Sequence, residues 1–196
     1  MVGRRSTLQR AGILRLASEI FSRRGFVGAS MNEVASAIGL SKASLYHHFS
    51  SKEALYVEII LDVLKRMCGE VGELVRSAPD AETKLRAFMH GHAKFFEENM
   101  HQITVSHFGL DAVRESPEIG EIMGWRDTYE HMLRGILAEG AARGRFERAE
   151  VAVAGRMVLS LLNEMPRWYR TDGKRTATQF ADLYCDLMLN GLRPRA

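Results

Sequence analysis

Cysteine is nearly absent from this chain: Cys68 and Cys185 lie far apart and match no metal-ligand spacing. That excludes a disulfide framework or a zinc module, and two reduced thiols in a cytoplasmic protein are the expectation. Proline is as sparse, with four residues, and no apolar–polar alternation bounded by turn pairs stands out. Strands are therefore not expected. No apolar run approaches the roughly 20 residues that a membrane span needs. The opening Met-Val-Gly-Arg-Arg-Ser is not followed by the apolar stretch of an export signal, so the expected location is cytoplasmic, with no membrane partner. Repeats and low-complexity segments are missing too. What remains is a chain of 196 residues, 46% of them hydrophobic, which is enough to bury a sizeable helical core.

Acidic residues are scarce in one place. Residues 1–52 hold eight Lys or Arg against Glu19 and Glu33, a net charge of +6. The other nineteen bases face twenty-two acids, a net charge of −3. The overall +3 thus hides a basic head on a mildly acidic body, the distribution expected of a phosphate-binding module.

The same head carries helix punctuation. Ser30 followed by Glu33 has the form of a capping box opening a short helix with Val34, Ala35 and Ile38 on one face. Gly39 suits the left-handed residue that ends such a helix, and Ser41 suits the cap of the next. Leu45 then faces the core, leaving Lys42, Ala43, Ser44, Tyr46 and His47 outward. Small, cationic, hydroxyl and aromatic groups on a short helix suit the DNA major groove. Lys42 and Lys52 are the phosphate candidates, with Ser30 or Met31 offering a backbone N–H from a helix N-terminus.

The run from Gly39 to Leu55, with Tyr46-His-His-Phe49 and Ser51-Lys-Glu53 at its heart, closely resembles the helix-turn-helix signature of the tetracycline-repressor (TetR) family. Ile13–Phe26 resembles that family's first helix. The resemblance implies an all-α fold of about nine helices: a three-helix DNA-binding head over residues 1–52 and a helical ligand-binding and dimerisation body over 53–196. It also implies a homodimer on double-stranded operator DNA, released by a small-molecule effector.

Helix punctuation in the body predicts one long helix from Ser51 to before Pro79 and another from Asp80 carrying Leu85, Phe88, Met89, His92, Phe95 and Phe96. A shorter one follows over about 101–113. Ser116-Pro117-Glu118 is a start signal for a helix running to Gly140–Gly144. Two long helices, about 148–170 and 174–192, complete the chain. Both are apolar on more than one face. Part of each packs into its own core, and the family resemblance implies that the remainder pairs with a symmetry mate.

Candidate effector-contacting residues are Phe88, Met89, His92, Phe96, Ile103 and Phe108, followed by Trp125, Tyr129, Met165, Arg167 and Trp168. Aromatic and Met-rich walls with a few polar groups describe a small-molecule site, and they describe ordinary core equally well. Pro166-Arg-Trp-Tyr-Arg170 with Asp172-Gly173 is similar to a stretch in TetR members that control sterol or fatty-acid breakdown and bind acyl-CoA thioesters. Arg167 and Arg170 would then meet phosphate or carboxylate; the alternative is a basic helix end completing its dipole.

No catalytic or metal site is expected. His90 and His92 diverge on one helix, as do His101 and His107. Glu98 and His101 form a single Glu-x-x-His where a di-metal site needs two. Asp127 with His131 reads as a surface pair, and Ser106 beside His107 has no orienting acid. The expectation is a regulator, with no cofactor and no enzymatic activity. The alternatives are a helical small-molecule-binding protein or enzyme with a vestigial head, or a DNA-binding regulator without an effector.

Overall fold

The computed structural model describes residues 10–147 and 151–192, and every regular element among them is a helix. Nine of these run seven residues or longer: α1 (Arg10–Gly28), α2 (Met31–Ala37), α3 (Lys42–His48), α4 (Lys52–Ser77), α5 (Ala81–Glu98), α6 (Met100–Phe108), α7 (Ile119–Ala142), α8 (Val151–Asn163) and α10 (Ala177–Leu192). Two single turns complete the set: a 3₁₀ turn at Leu110–Val113 and α9 (Met165–Trp168).

Four boundaries differ from the sequence expectation. The helix expected over 101–113 stops at Phe108; the next residue, Gly109, lies so close to α4 that a Cβ there would be 2.4 Å from the Tyr56 hydroxyl. The helix expected from Ser116 opens only at Ile119. For the one expected over 148–170, the start at 148 lies outside the described residues, and the helix that runs from Val151 breaks after Asn163. Pro166, with no N–H to bond back four residues, sits at the start of the separate turn α9. The last helix opens at Ala177 rather than Lys174, because Thr176 and Gln179 cap it reciprocally: Gln179 N donates to Thr176 Oγ1 (3.1 Å) and Thr176 N to Gln179 Oε1 (3.0 Å). The α5 start matches its signal, with Asp80 Oδ1 accepting from Thr83 N at 3.0 Å.

Contacts divide the chain into two compact units. One comprises the chain to Leu64 together with His101–Ile122; the other comprises Lys65–Met100 with Met123 onward. The first has a core of Ile13, Leu14, Ala17 and Phe21 from α1, Val34 and Ile38, Leu45, and Leu55 and Ile59 from α4. In the second, α5 packs along α10 and buries Leu85, Phe88, Met89, Phe95 and Phe96. Arg86–Asp186 (2.6 Å) and His90–Asp182 (3.0 Å) form a two-rung ladder between α5 and α10. Lys84–Glu139 (2.7 Å) ties α5 to α7.

Candidate functional site

The helix-turn-helix is built by local hydrogen bonds. Ser30 Oγ accepts from Glu33 N (3.2 Å), but the capping box is only half formed. The Glu33 carboxylate turns away to Arg24 Nε at 2.9 Å, pinning α2 to the end of α1. At the other end of α2, Gly39 takes φ +72°. Its N–H reaches Ser36 O (3.2 Å) while Leu40 N reaches Ala35 O (2.9 Å), the paired closure of a Schellman motif. Ser41 Oγ then caps α3, accepting from Ser44 N at 3.0 Å and sharing a hydrogen bond with Ser44 Oγ at 2.8 Å. The turn is thus fixed at both sides by backbone chemistry.

This fixes what α3 shows to solvent. Leu45 is fully buried, while Lys42, Ala43, Tyr46 and His47 lie exposed on one side. Lys42 Nζ sits 5.9 Å from the Tyr46 ring centre, one turn away. Ser44 is half-buried, with its hydroxyl engaged in the cap, and Ser41 is exposed. The Met31 side chain points inward, 5% exposed, so only its backbone remains as a contact. Arg10 bridges Glu58 of α4 and the His48 carbonyl (3.2 Å) and lies 4.5 Å from the Phe49 ring centre, clamping the end of α3.

Lys52 takes a position that sequence spacing does not suggest. Its ammonium donates to Phe26 O (2.7 Å) and Ala29 O (3.0 Å) and sits 4.4 Å from the Phe26 ring centre. It staples the α1–α2 connection to the start of α4. Both carbonyls lie just beyond the break in α1 at Gly25.

Of the effector candidates, the structure brings nine into the second unit. Phe88, Met89, Phe96 and Met165 are fully buried. His92 and Tyr129 form a buried polar pair, Nδ1 to hydroxyl 3.0 Å, with the Phe88 ring 4.8 Å from that of Tyr129. Burial first, and the nearby Cys68 second, push the Tyr129 hydroxyl well above its ordinary pKa. The Trp125 carbonyl accepts from Cys68 Sγ (3.6 Å). Trp168 is 39% exposed and edges onto Phe180, while Arg167 pairs with Glu164 (3.4 Å). Arg170 pairs with Asp172 at 3.0 Å, and the Tyr169 hydroxyl donates to Glu97 Oε1 (2.7 Å). Ile103 and Phe108 are the exceptions: both belong to the first unit, because α6 folds with the head helices.

Sequence pattern misses one residue. Arg126 on α7 is half-buried, one turn before Tyr129, and has no hydrogen bond or ion pair among the described residues. Burial lowers its pKa, and Asp127 partly offsets this. A lone arginine among aromatic residues carries no sequence signal; only its burial reveals it. Two further histidines have ordinary partners: His101 Nδ1 meets Ser22 Oγ (2.9 Å) and His131 Nδ1 meets the Asp127 carbonyl oxygen (2.7 Å).

A short capped helix projecting cationic, hydroxyl and aromatic groups from a basic all-helical unit defines a helix-turn-helix DNA-binding protein. Residues 13–59 match the model for bacterial regulatory proteins of the tetR family, and residues 78–192 match the tetracyclin repressor-like C-terminal domain. The chain belongs to the TetR family; it is a transcriptional regulator and not an enzyme. It is similar to the TetR-family regulator PfmR of Thermus thermophilus, with 41% identity, a TM-score of 0.85 and 93% and 99% of the two chains covered. It is 25% identical to the transcriptional repressor KstR2 of Rhodococcus jostii over 94% of this chain and 91% of that one. The same fold occurs in AibR, solved with isovaleryl coenzyme A and operator DNA, at 23% identity, TM-score 0.82 and 95% and 99% coverage. No helix of the described residues is long and apolar enough to cross a membrane.

Proposed function

We propose that this regulator is a cytoplasmic homodimeric repressor, released from a palindromic operator when its body binds an acyl-CoA thioester or a related apolar acid. The observation that carries the reading is the exposed Lys42–Ala43–Tyr46–His47 face on a helix locked by caps at both sides of its turn. In this reading residues 1–52 are the DNA-binding head and 53–196 the ligand-binding and dimerisation body. Ser30, Met31, Ser41, Lys42, Ala43, Ser44, Tyr46 and His47 meet DNA, the first two through backbone or cap groups, and Lys52 holds the head in shape.

Dimerisation uses α8 and α10. Val153 and Met157 on α8, and Leu183 and Leu187 on α10, are large apolar side chains left exposed at a spacing of one helical turn. Stripes of this kind mark an interface. The effector class is read from the second unit: the buried apolar side chains of Phe88, Met89, Phe96 and Met165, the His92–Tyr129 pair, and Arg126, with no ion-pair partner among the described residues, to meet an acidic group. KstR2 by its name, and AibR by its bound ligand, support repression and a CoA thioester respectively.

The test is a titration of short-chain, long-chain and sterol-derived CoA thioesters against the protein–operator complex, read by fluorescence anisotropy. One of these classes should dissociate the complex, and Arg126→Gln should raise the concentration required. Dissociation by cationic or neutral aromatic compounds alone, with every thioester inert, would overturn the effector class.

A further inference from the structure

The first unit contains a cavity of about 530 Å³ that neither DNA reading nor the body's effector uses. That volume lies within the range of small-molecule sites. Its walls come from three helices: Phe21 and Phe26 of α1, Tyr56 of α4, and Val105 and Phe108 of α6. Phe21, Phe26 and Tyr56 pack as an edge-on aromatic cluster, the Tyr56 ring lying 4.8 and 5.0 Å from the other two. At the rim, Phe108 is 46% and Val27 is 91% exposed, apolar surface that water alone covers poorly.

The polar group that faces the aromatic cluster is the Tyr56 hydroxyl. Tyr56 as a whole is 4% exposed, and its hydroxyl stands open on the cavity wall beside Gly109, with no hydrogen-bond partner among the described residues. The rim charges are already compensated, Arg24 by Glu33 (2.9 Å) and Asp111 by Arg114 (2.6 Å). The cavity therefore offers mainly apolar walls, the Tyr56 hydroxyl beside those of Thr104 and of Ser22, which is engaged with Glu19 O and His101, and no uncompensated charge.

We propose that this cavity is a second ligand site, specific for neutral aromatic or alicyclic molecules bearing a hydroxyl or carbonyl that bonds to Tyr56. A ring seated there touches α1, α4 and α6 together. It braces the α1–α2 junction, from which the helix-turn-helix departs.

The test uses the full chain with naphthol as a fluorescent neutral probe and naphthoate as its anionic counterpart. Naphthol should bind saturably with a Kd below about 1 mM, and naphthoate at least about tenfold more weakly. Tyr56→Phe should leave the thermal midpoint unchanged and weaken naphthol about three- to tenfold, the worth of one neutral hydrogen bond. Ala112→Phe, which fills the cavity from the 3₁₀ turn, should abolish binding. No saturable binding to the folded protein, tighter binding of naphthoate, or an unchanged affinity in Tyr56→Phe would each overturn the site. If Ala112→Phe does not fold by circular dichroism, Tyr56→Phe and the naphthoate comparison decide alone. The outcome is independent of the thioester titration, because these walls lie within the first unit.

Discussion

Lys42 and Lys52 look interchangeable in sequence, two cations near a recognition helix, and their surroundings separate them. Lys42 is exposed beside Tyr46, whereas Lys52 is bound to two carbonyls and a ring. Lys42→Ala should therefore weaken every DNA sequence similarly and reduce the salt slope by about one for each phosphate left unneutralised. Lys52→Met should destabilise the fold by about 1.5–3 kcal/mol, the worth of hydrogen bonds to a charged group. In that variant operator affinity should fall with the salt slope unchanged. Chemical denaturation and salt-dependent anisotropy on the two variants distinguish the roles; an unchanged stability in Lys52→Met contradicts the staple. Gly39 is the other residue whose identity is dictated by the backbone. At φ +72° an alanine should cost about 1–2 kcal/mol.

Helix ends carry the next level of the account. Asp80 caps α5, and its hydrogen bonds to Thr83 hold its carboxyl below the ordinary range. Lys84 does the same for Glu139 on α7. Groups whose folded pKa lies below the unfolded value stabilise above the unfolded value, and that contribution is lost as pH falls through the folded one. Stability should thus decline on acidification below about pH 4, the ordinary range of Asp and Glu. Asp80→Asn with Glu139→Gln should flatten this acid limb in urea titrations, and an equally steep limb in the double variant would contradict the assignment. On α10, Leu187→Glu should dissociate the proposed dimer in light scattering with helix content retained, since Leu187 is 71% exposed and adds nothing to its own core.

Legibility follows the range of the forces. Caps, turn glycines and apolar periodicity act within a few residues, so Ser30, Gly39, Ser41, Leu45 and Asp80 can be read directly from the chain. The Thr176–Gln179 box has the right signature, but Lys174 and Arg175 look equally helical and mask it. Contacts between distant segments are not legible. Glu33 leaving its cap for Arg24, Lys52 reaching back to Phe26, and α6 joining the head's unit depend on packing that no local pattern encodes. The same holds for Arg126, half-buried with no ion-pair partner among the described residues, and for Tyr56, whose hydroxyl stands on a cavity wall.

For the molecule as a whole, the charge asymmetry and the capped α3 face together make one claim: the head binds DNA through phosphate neutralisation and reads it through α3. The direct measurement is anisotropy of the full chain on DNA from upstream of its own gene across salt, with footprinting of the bound site. If the dimer neutralises roughly 6–10 phosphates, affinity should fall about 10³–10⁵-fold between roughly 50 and 200 mM salt. The footprint should be an inverted repeat with half-sites about one helical turn apart or a multiple of it. Binding that ignores salt, or a protected site without twofold symmetry, would contradict the account.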